Sequence, residues 1–142
     1  MRLALEQAQA AAGRGEVPVG AVIVARGCVV AASGNRTIAD CDPTAHAEIV
    51  ALRAAARALG NYRLPDADVY VTLEPCAMCA GALIQARIRR LIYGAEDPKG
   101  GAVRTCLRVL DGPALNHRVE VTAGVLAEES IALLQSFFTT RR

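Results

Sequence analysis

The chain has 142 residues, which fits one domain with a sizeable core, and we assign residues 1–142 to a single domain. Its hydrophobic content of 53% excludes an intrinsically disordered chain. The formal net charge of +2 does not by itself indicate a binding partner. All but one of the 16 basic residues are arginine, which suits phosphate contacts but equally fits a compositional bias of the source genome.

The cellular compartment is indicated by the cysteines and by the apolar runs. The five cysteines are odd in number and lack the spacing of a disulfide framework, which favours a reducing environment. Glu6 and Gln7 interrupt the apolar N-terminal stretch too early for a signal peptide, and no apolar run is long enough to span a membrane. We therefore expect a cytoplasmic protein without membrane association.

The first half of the chain carries the signals of two helices and a hairpin. An Ala- and Gln-rich helix over 3–12 is followed by strands over 20–25 and 28–32. Residues 33–36 then form a turn. Asp42 suits a helix N-cap and Pro43 the first helical position, which predicts a helix over 44–59 with His46 in its first turn.

The second half alternates strands with helices. We predict strands over 69–73, 91–95 and 119–122, and helices over 75–87, 102–110 and 126–138. Arg141 and Arg142 follow the last helix, where positive charge favours the helix dipole. A hairpin followed by this alternation predicts an α/β fold with a mixed sheet covered on both faces.

The residues that organise the chain are Cys76 and Cys79, which follow Pro75 at the start of a predicted helix. Positions i and i+3 share one helix face, and a helix N-terminus lowers the pKa of a thiol. His46 supplies a third ligand, and three protein ligands leave a zinc coordination position open, as catalytic sites require. Taken alone, the two cysteines also fit a redox pair. A fourth ligand is available from other cysteines or from a histidine, although none forms a spaced motif: Cys28, Cys41, Cys106 and His117.

Glu48 lies two positions after His46. A carboxylate beside a zinc site can carry protons, a role that a purely structural zinc site does not need. Alone, Glu48 reads as an ordinary surface charge. Its spacing from His46 and from Cys76 and Cys79 gives H-x-E followed by P-C-x-x-C, which is the signature of zinc-dependent nucleobase deaminases.

Longer strings resemble one branch of these enzymes, the bacterial tRNA-specific adenosine deaminases of the cytidine deaminase-like superfamily. The similar strings span nearly the whole chain, at residues 16–21, 42–48, 61–64, 70–76, 78–82, 87–88 and 116–117. The resemblance implies a three-layer α/β/α fold with a five-stranded mixed sheet. It also implies a homodimer that binds the anticodon loop of tRNA and holds one zinc ion per subunit.

The same resemblance implies the chemistry. A zinc-bound hydroxide attacks C6 of adenine at the wobble position and gives inosine, with Glu48 as the proton shuttle and His46, Cys76 and Cys79 as the metal ligands. The implied substrate contacts are those of Asn35, of Ala47 through its backbone, of Leu73, and of two residues in an anticodon-contacting loop, Asp97 and Lys99.

Some of these positions have ordinary explanations as well. Asn35 is also a good turn residue, and Asp97 and Lys99 also fit an exposed turn. Adjacent helical residues point about 100° apart, so one of Phe137 and Phe138 packs into the core while the other, which we take as Phe138, is available to stack on a base.

Two alternatives to tRNA deamination follow from the same motifs. One is a zinc-dependent deaminase of a free nucleobase or nucleoside such as guanine or cytosine, and the other is an RNA-binding subunit without activity, against which the intact Glu48 argues. The chain departs from the family pattern at 102–106, which reads Ala-Val-Arg-Thr-Cys in place of small residues and a serine, and it begins late in the first helix.

Overall fold

The computed structural model describes residues 1–141, so the predicted position of Arg142 after the last helix lies outside the described residues. Four α-helices cover a five-stranded mixed sheet with the strand order β2-β1-β3-β4-β5, which confirms the predicted α/β architecture. The helices are α1 (Arg2–Gly13), α2 (Ala47–Leu59), α3 (Ala77–Gln85) and α4 (Ala127–Thr139). The strands are β1 (Gly20–Ala25), β2 (Cys28–Gly34), β3 (Ala67–Leu73), β4 (Arg90–Ala95) and β5 (Glu120–Thr122).

The sheet changes from antiparallel to parallel at β3. β2 and β3 both pair antiparallel to β1, whereas β3, β4 and β5 run parallel to one another. Helices α1 and α4 contact each other on one face, and α2 and α3 contact each other on the opposite face. The carboxyl ends of β3 and β4, at Leu73 and Ala95, therefore meet at one edge of the sheet. Ligands of open α/β sheets bind outside this edge.

Helix α1 lies directly on the backbone of the hairpin. A Cβ atom on Gly20 would lie 1.9 Å from the carbonyl oxygen of Ala4, and one on Gly34 would lie 2.6 Å from that of Gln7. Both distances are shorter than any van der Waals contact, so these strand positions accept only glycine. The two glycines therefore allow α1 to pack directly against the backbone of β1 and β2.

The boundaries differ from the prediction at two places before the second helix. β2 continues through Ser33 and Gly34 and the turn begins only at residue 37, so the predicted turn over 33–36 is wrong. Helix α2 begins at Ala47 and not at residue 44. The reason is local: the Asp42 carboxylate accepts hydrogen bonds from the backbone N–H and the hydroxyl of Thr44, at 2.8 and 2.7 Å, and closes a separate turn.

The predicted helix over 102–110 is also wrong. Only Val109–Asp111 form a short 3-10 helix, and residues 102–105 are a turn. Glu74 accepts the N–H groups of Val103 and Arg104 and holds the segment as a turn. The N–H groups of Cys106 and Leu107 then both donate to the carbonyl oxygen of Gly101, so the bonds to residues four positions back that a helix needs do not form. The third helix is shorter than predicted and ends at Gln85, before Arg87 adopts a positive φ of 57°. None of the helices formed by residues 1–141 is long and apolar enough to cross a membrane.

Candidate metal centre and active site

Three of the predicted site residues meet at the start of two helices. The ligand atoms of His46, Cys76 and Cys79 all lie within 4.8 Å of one another, and residues 1–141 contain no other such group of three. The Nδ1 atom of His46 is 3.6 Å from the sulfur of Cys76 and 3.5 Å from that of Cys79. None of the alternative fourth ligands within the described chain joins this cluster.

These distances fit a zinc ion. Zinc binds histidine nitrogen at 2.0–2.1 Å and thiolate sulfur at about 2.3 Å, so tetrahedral geometry places the two atoms roughly 3.6 Å apart. The observed separations between His46 and the two sulfur atoms agree with that value. A nitrogen and two sulfur atoms are also the donor types that zinc prefers over calcium or magnesium.

The local backbone explains how the cluster forms. His46 and Cys76 are each the residue just before a helix, and both are extended, with ψ angles of 152° and 176°. Cys79 lies one turn further into α3 and is fully buried. The prediction that His46 lies within the first helical turn was wrong, because the Asp42 turn delays the start of α2. Both half-sites nevertheless lie at helix N-termini, as the sequence indicated.

The electrostatics of the cluster favour a thiolate. A hydrogen bond from the Cys79 thiol, together with the neighbouring His46, lowers the pKa of Cys76 to about 3. The hydrogen bond to Cys76 and burial raise the pKa of Cys79, so the pair shares one proton. The interaction with Cys76 raises the pKa of His46. Since the thiolate is the form of cysteine that binds metal, Cys76 is prepared for this role.

Glu48 lies in the first turn of α2 beside the three ligands and is only 4% exposed. Burial raises the pKa of this carboxyl to about 7, although the nearby His46 acts in the opposite direction. A general acid or base works best when its pKa is near the working pH. Glu48 therefore has the burial and proton affinity expected of a group that both accepts and donates a proton.

A pocket of about 260 Å³ opens next to this cluster, close to the lower size limit of small-molecule sites, roughly 300 Å³. It is lined by Val17, Val19, Asn35, Thr37, His46, Glu48, Leu73, Glu74, Cys76 and Asp97. The structure thus brings the predicted substrate contacts Asn35, Leu73 and Asp97 together with Glu48 and two of the three ligands. Larger depressions lie elsewhere on the surface, but none contains the cluster.

Asn35 also has a structural role that the sequence did not reveal. Its side-chain oxygen accepts a hydrogen bond of 2.8 Å from the N–H of Ala47, the first residue of α2. Asn35 therefore caps the helix that carries Glu48 and fixes its position relative to His46. The NH2 group of the same amide remains available to a ligand in the pocket.

Three other predicted contacts lie outside the pocket lining. The side chain of Ala47 is fully buried. Lys99 is exposed, and its N–H donates to the carboxylate of Asp97 at 3.0 Å. Phe138 is 50% exposed and packs edge-on against the buried Phe137, with 5.3 Å between ring centroids. The division between a core phenylalanine and an exposed one agrees with the prediction, and the contact of Phe138 with a base stays a prediction.

Two buried carboxylates near the pocket were missed by the sequence analysis. Glu16 accepts hydrogen bonds from the N–H groups of Ile38 and Ala39 and from the hydroxyl of Thr37. Glu74 accepts from several N–H groups of the 97–105 loop. The only sequence signal was an acidic residue set beside a proline and apolar residues, which does not reveal its partners. Val17, Val19 and Thr37 of the pocket lining were also not predicted.

Comparison with known proteins places this site in a family. The model of the MafB19-like deaminases matches residues 1–142. A tRNA-specific adenosine deaminase of Agrobacterium fabrum is 54% identical over the whole chain and 93% of its own length, and that of Bacillus subtilis is 43% identical over the whole chain and 88% of its own length.

Solved structures that superpose on this chain are also deaminases. A tRNA:A34 deaminase, studied for A-to-I editing at the wobble position of transfer RNA, superposes with a TM-score of 0.92 at 55% identity, covering 94% of this chain and 97% of that one. A guanine deaminase from Nitrosomonas europaea superposes with a TM-score of 0.84 at 27% identity, covering 96% of this chain and 81% of that one. The fold is thus shared with deaminases that act on different substrates.

Proposed function

This chain belongs to the MafB19-like deaminases and, among them, to the bacterial tRNA-specific adenosine deaminases, and we infer that it converts adenosine to inosine at the wobble position of a tRNA anticodon. It is a hydrolase: water replaces the 6-amino group of adenine, and ammonia leaves. The observation that carries the inference is full-length identity of 54% to such an enzyme, together with a pocket in which Glu48 lies beside the cluster of three ligands.

The metal that the family implies is zinc, held by His46, Cys76 and Cys79. Support comes from the donor set and from separations that match tetrahedral coordination. When bound, zinc supplies a Lewis acid that activates water near neutral pH. The family match over residues 1–142 supports a single zinc-dependent deaminase domain.

Glu48 is proposed as the proton carrier. It takes one proton from the attacking water and passes it to a ring nitrogen of the purine. It then takes the proton of the hydroxyl that has been added at C6 and passes it to the leaving amine, which departs as ammonia. Its burial and its pKa of about 7 support this role, because the carboxyl can be charged in one step and neutral in the next. Glu48 is anchored on α2, so its position depends on the same helix start that orients His46.

Asn35 and Leu73 are proposed to hold the adenine base. The free NH2 group of Asn35 donates to an acceptor on the base, while Leu73 offers an apolar wall of the pocket. The backbone contact of Ala47 with the base stays a prediction; the N–H of Ala47 donates to Asn35 at 2.8 Å. These contacts recognise a base that is unstacked from its neighbours. Unstacking a base costs little free energy in a single-stranded anticodon loop.

Further contacts to the RNA are proposed from Asp97, Lys99 and Phe138. Asp97 lines the pocket, and Lys99 follows on the exposed side of the same loop. Phe138 presents half of its ring to solvent near the end of α4, where an unpaired base can stack. We also propose that the enzyme acts in the cytoplasm, because its proposed substrate is a tRNA.

A homodimer is proposed from the family. It is supported by an apolar groove of about 380 Å³ between α2 and α3, bordered by Leu52, Ala56, Tyr62 and Ala82. Tyr62 is 69% exposed in the single chain, and large exposed aromatic side chains are enriched at interfaces. Sedimentation at micromolar concentration checks this proposal, and a monomer contradicts it.

The experiment that tests the function compares substrates. Zinc-loaded protein is incubated with an anticodon stem-loop that carries adenosine at the wobble position, and separately with free guanine, cytosine and adenosine. Inosine in the stem-loop alone supports the assignment. The guanine deaminase of the same fold makes free guanine the second candidate: turnover of a free base with an unchanged stem-loop would replace the tRNA substrate and retain the site chemistry.

A further inference from the structure

One wall of the pocket is built on a single buried carboxylate, that of Glu74. Glu74 is 2% exposed, and one of its oxygens accepts the N–H groups of Val103, Arg104 and Thr105 at 3.1, 2.7 and 2.9 Å. The other oxygen accepts the N–H of Asp97 at 3.1 Å and a short hydrogen bond from the Thr105 hydroxyl. Five donors from the 97–105 loop therefore converge on one side chain.

Glu74 accepts more hydrogen bonds from the described loop residues than any other side chain does. Residues 102–105 belong to no helix or strand, and the N–H groups of residues 103–105 donate to Glu74. Gly101 packs so closely that a Cβ atom there would lie 2.3 Å from a carboxylate oxygen of Glu74. Hydrogen bonds to a charged acceptor are the strong ones, and a buried carboxylate loses much of its stabilisation when a donor is removed. The loop shape thus depends on Glu74 and on the glycine at position 101 that packs against it.

The same residue joins this wall to the metal cluster. Glu74 and Pro75 lie between the end of β3 and Cys76. The N–H of Ala102 donates to the carbonyl oxygen of Pro75 at 2.8 Å, and the N–H of Glu74 donates to that of Ala95. One short turn therefore presents a ligand, Cys76, on one side and anchors the loop on the other.

We propose that Glu74 is a positioning residue for the substrate: it holds the 97–105 loop as a preformed wall, with Asp97 facing the pocket, before the nucleic acid binds. The proposal rests on the proposed function, because it names how that site recognises its substrate. Glu74 does not touch the reacting atoms. Its effect is expected on binding, since ordering the loop in advance removes the entropy cost of ordering it in the complex.

Thr105 offers a mild test, because its side chain is exposed apart from the hydroxyl that reaches Glu74. T105V removes this donor and keeps the shape of the side chain, while T105S restores the hydroxyl. The matched control is T122V, the same change on the exposed edge of β5, where no side-chain hydrogen bond of Thr122 occurs within residues 1–141. E74Q serves as the stronger perturbation.

Two measurements are made on each zinc-loaded variant: hydrogen exchange of the loop amides, and the Kd and KM for the anticodon stem-loop. T105V is expected to speed exchange at residues 97 and 103–105 and to raise Kd and KM by roughly tenfold, with kcat within about twofold of wild type. T105S and T122V are expected to match wild type, and E74Q to show a larger effect than T105V.

Faster exchange without a change in Kd would overturn the proposal, because the loop order would then not serve recognition. Unchanged exchange in both T105V and E74Q would overturn it too, as would a fall in kcat alone. A wild-type protein that bound the stem-loop without converting it would defeat the proposed function instead. The comparison of Kd and exchange would still decide the role of Glu74, because neither needs turnover.

Discussion

Replacing Asn35 separates its role in the fold from its role in binding. N35D keeps an oxygen that accepts the N–H of Ala47, now as a carboxylate at the N-terminus of α2, but it removes the NH2 donor that faces the pocket. N35A removes both. Comparing the two variants shows which end of the amide supports which property.

The expected sizes follow from the burial of Ala47. Ala47 is 0% exposed and its N–H donates to Asn35, so removing the cap leaves this donor without its protein partner. A buried donor without a partner costs about 1–3 kcal/mol. In a domain of this size N35A should lower Tm by roughly 3–10 °C. N35D should not lower it, because a negative charge at a helix N-terminus contributes about 0.3–1 kcal/mol.

N35D and N35A should differ in stability but should both lose activity. Both variants lose the amide donor to the base, which reduces kcat/KM by roughly 5- to 150-fold, the equivalent of one hydrogen bond left unpaired in the complex. The assay is inosine formation in the stem-loop, with zinc content and thermal unfolding measured on the same samples. N35D with full activity and full stability would refute the proposed base contact, and N35A with the Tm of the wild type would refute the cap.

Three further predictions concern the carboxylates and the metal. E48Q should retain zinc, measured by elemental analysis, and lose about 10²- to 10⁴-fold in kcat, because an amide cannot carry the proton; near-normal turnover would contradict the role of Glu48. A chelator should abolish activity and lower Tm, and zinc should restore both, since binding to the folded state stabilises it. Asp68 is paired with Arg89 and Arg90 at 2.7 Å, and these hydrogen bonds lower its pKa from 3.8 to about 2 against the opposing effect of burial. The ionised carboxylate therefore adds about 2 kcal/mol to the free energy of unfolding above pH 3.8, and this stabilisation is lost as the pH falls towards 2. Wild type should therefore lose its stability advantage over D68N in acid denaturation, and a constant difference across this pH range would contradict the argument.

The strands could be predicted from sequence because their signals are local. The Val- and Ile-rich run over 20–25 is the strand Gly20–Ala25, and 91–95 misses only Arg90 of β4. The site motif was equally local in each half: Pro75 before two cysteines, and His46 before Glu48. The two halves of the site then come together because α2 and α3 begin close to each other in the fold.

The errors arose where a distant or competing partner decides the backbone. The start of α2 was misplaced because Asp42 bonds to Thr44 in a turn of its own. The turn over 102–105 was mistaken for a helix because its partner, Glu74, lies about 30 positions away in sequence. The hydrophobic pattern of the sequence cannot predict a hydrogen bond between such distant residues. The same is true of the hydrogen bonds from the N–H groups of Ile38 and Ala39 to Glu16.

The anchoring of two pocket loops through backbone N–H groups has a consequence for how such enzymes diversify. Every amino acid except proline supplies an N–H, so Ile38, Ala39 and Arg104 can each be replaced without losing the hydrogen bond that shapes the loop. The unusual sequence at 102–106 fits this pattern: Thr105 supplies the hydroxyl, and Arg104 contributes its N–H and leaves its side chain exposed. Substrate preference can therefore change through the exposed side chains while Glu16 and Glu74 keep the walls of the pocket constant.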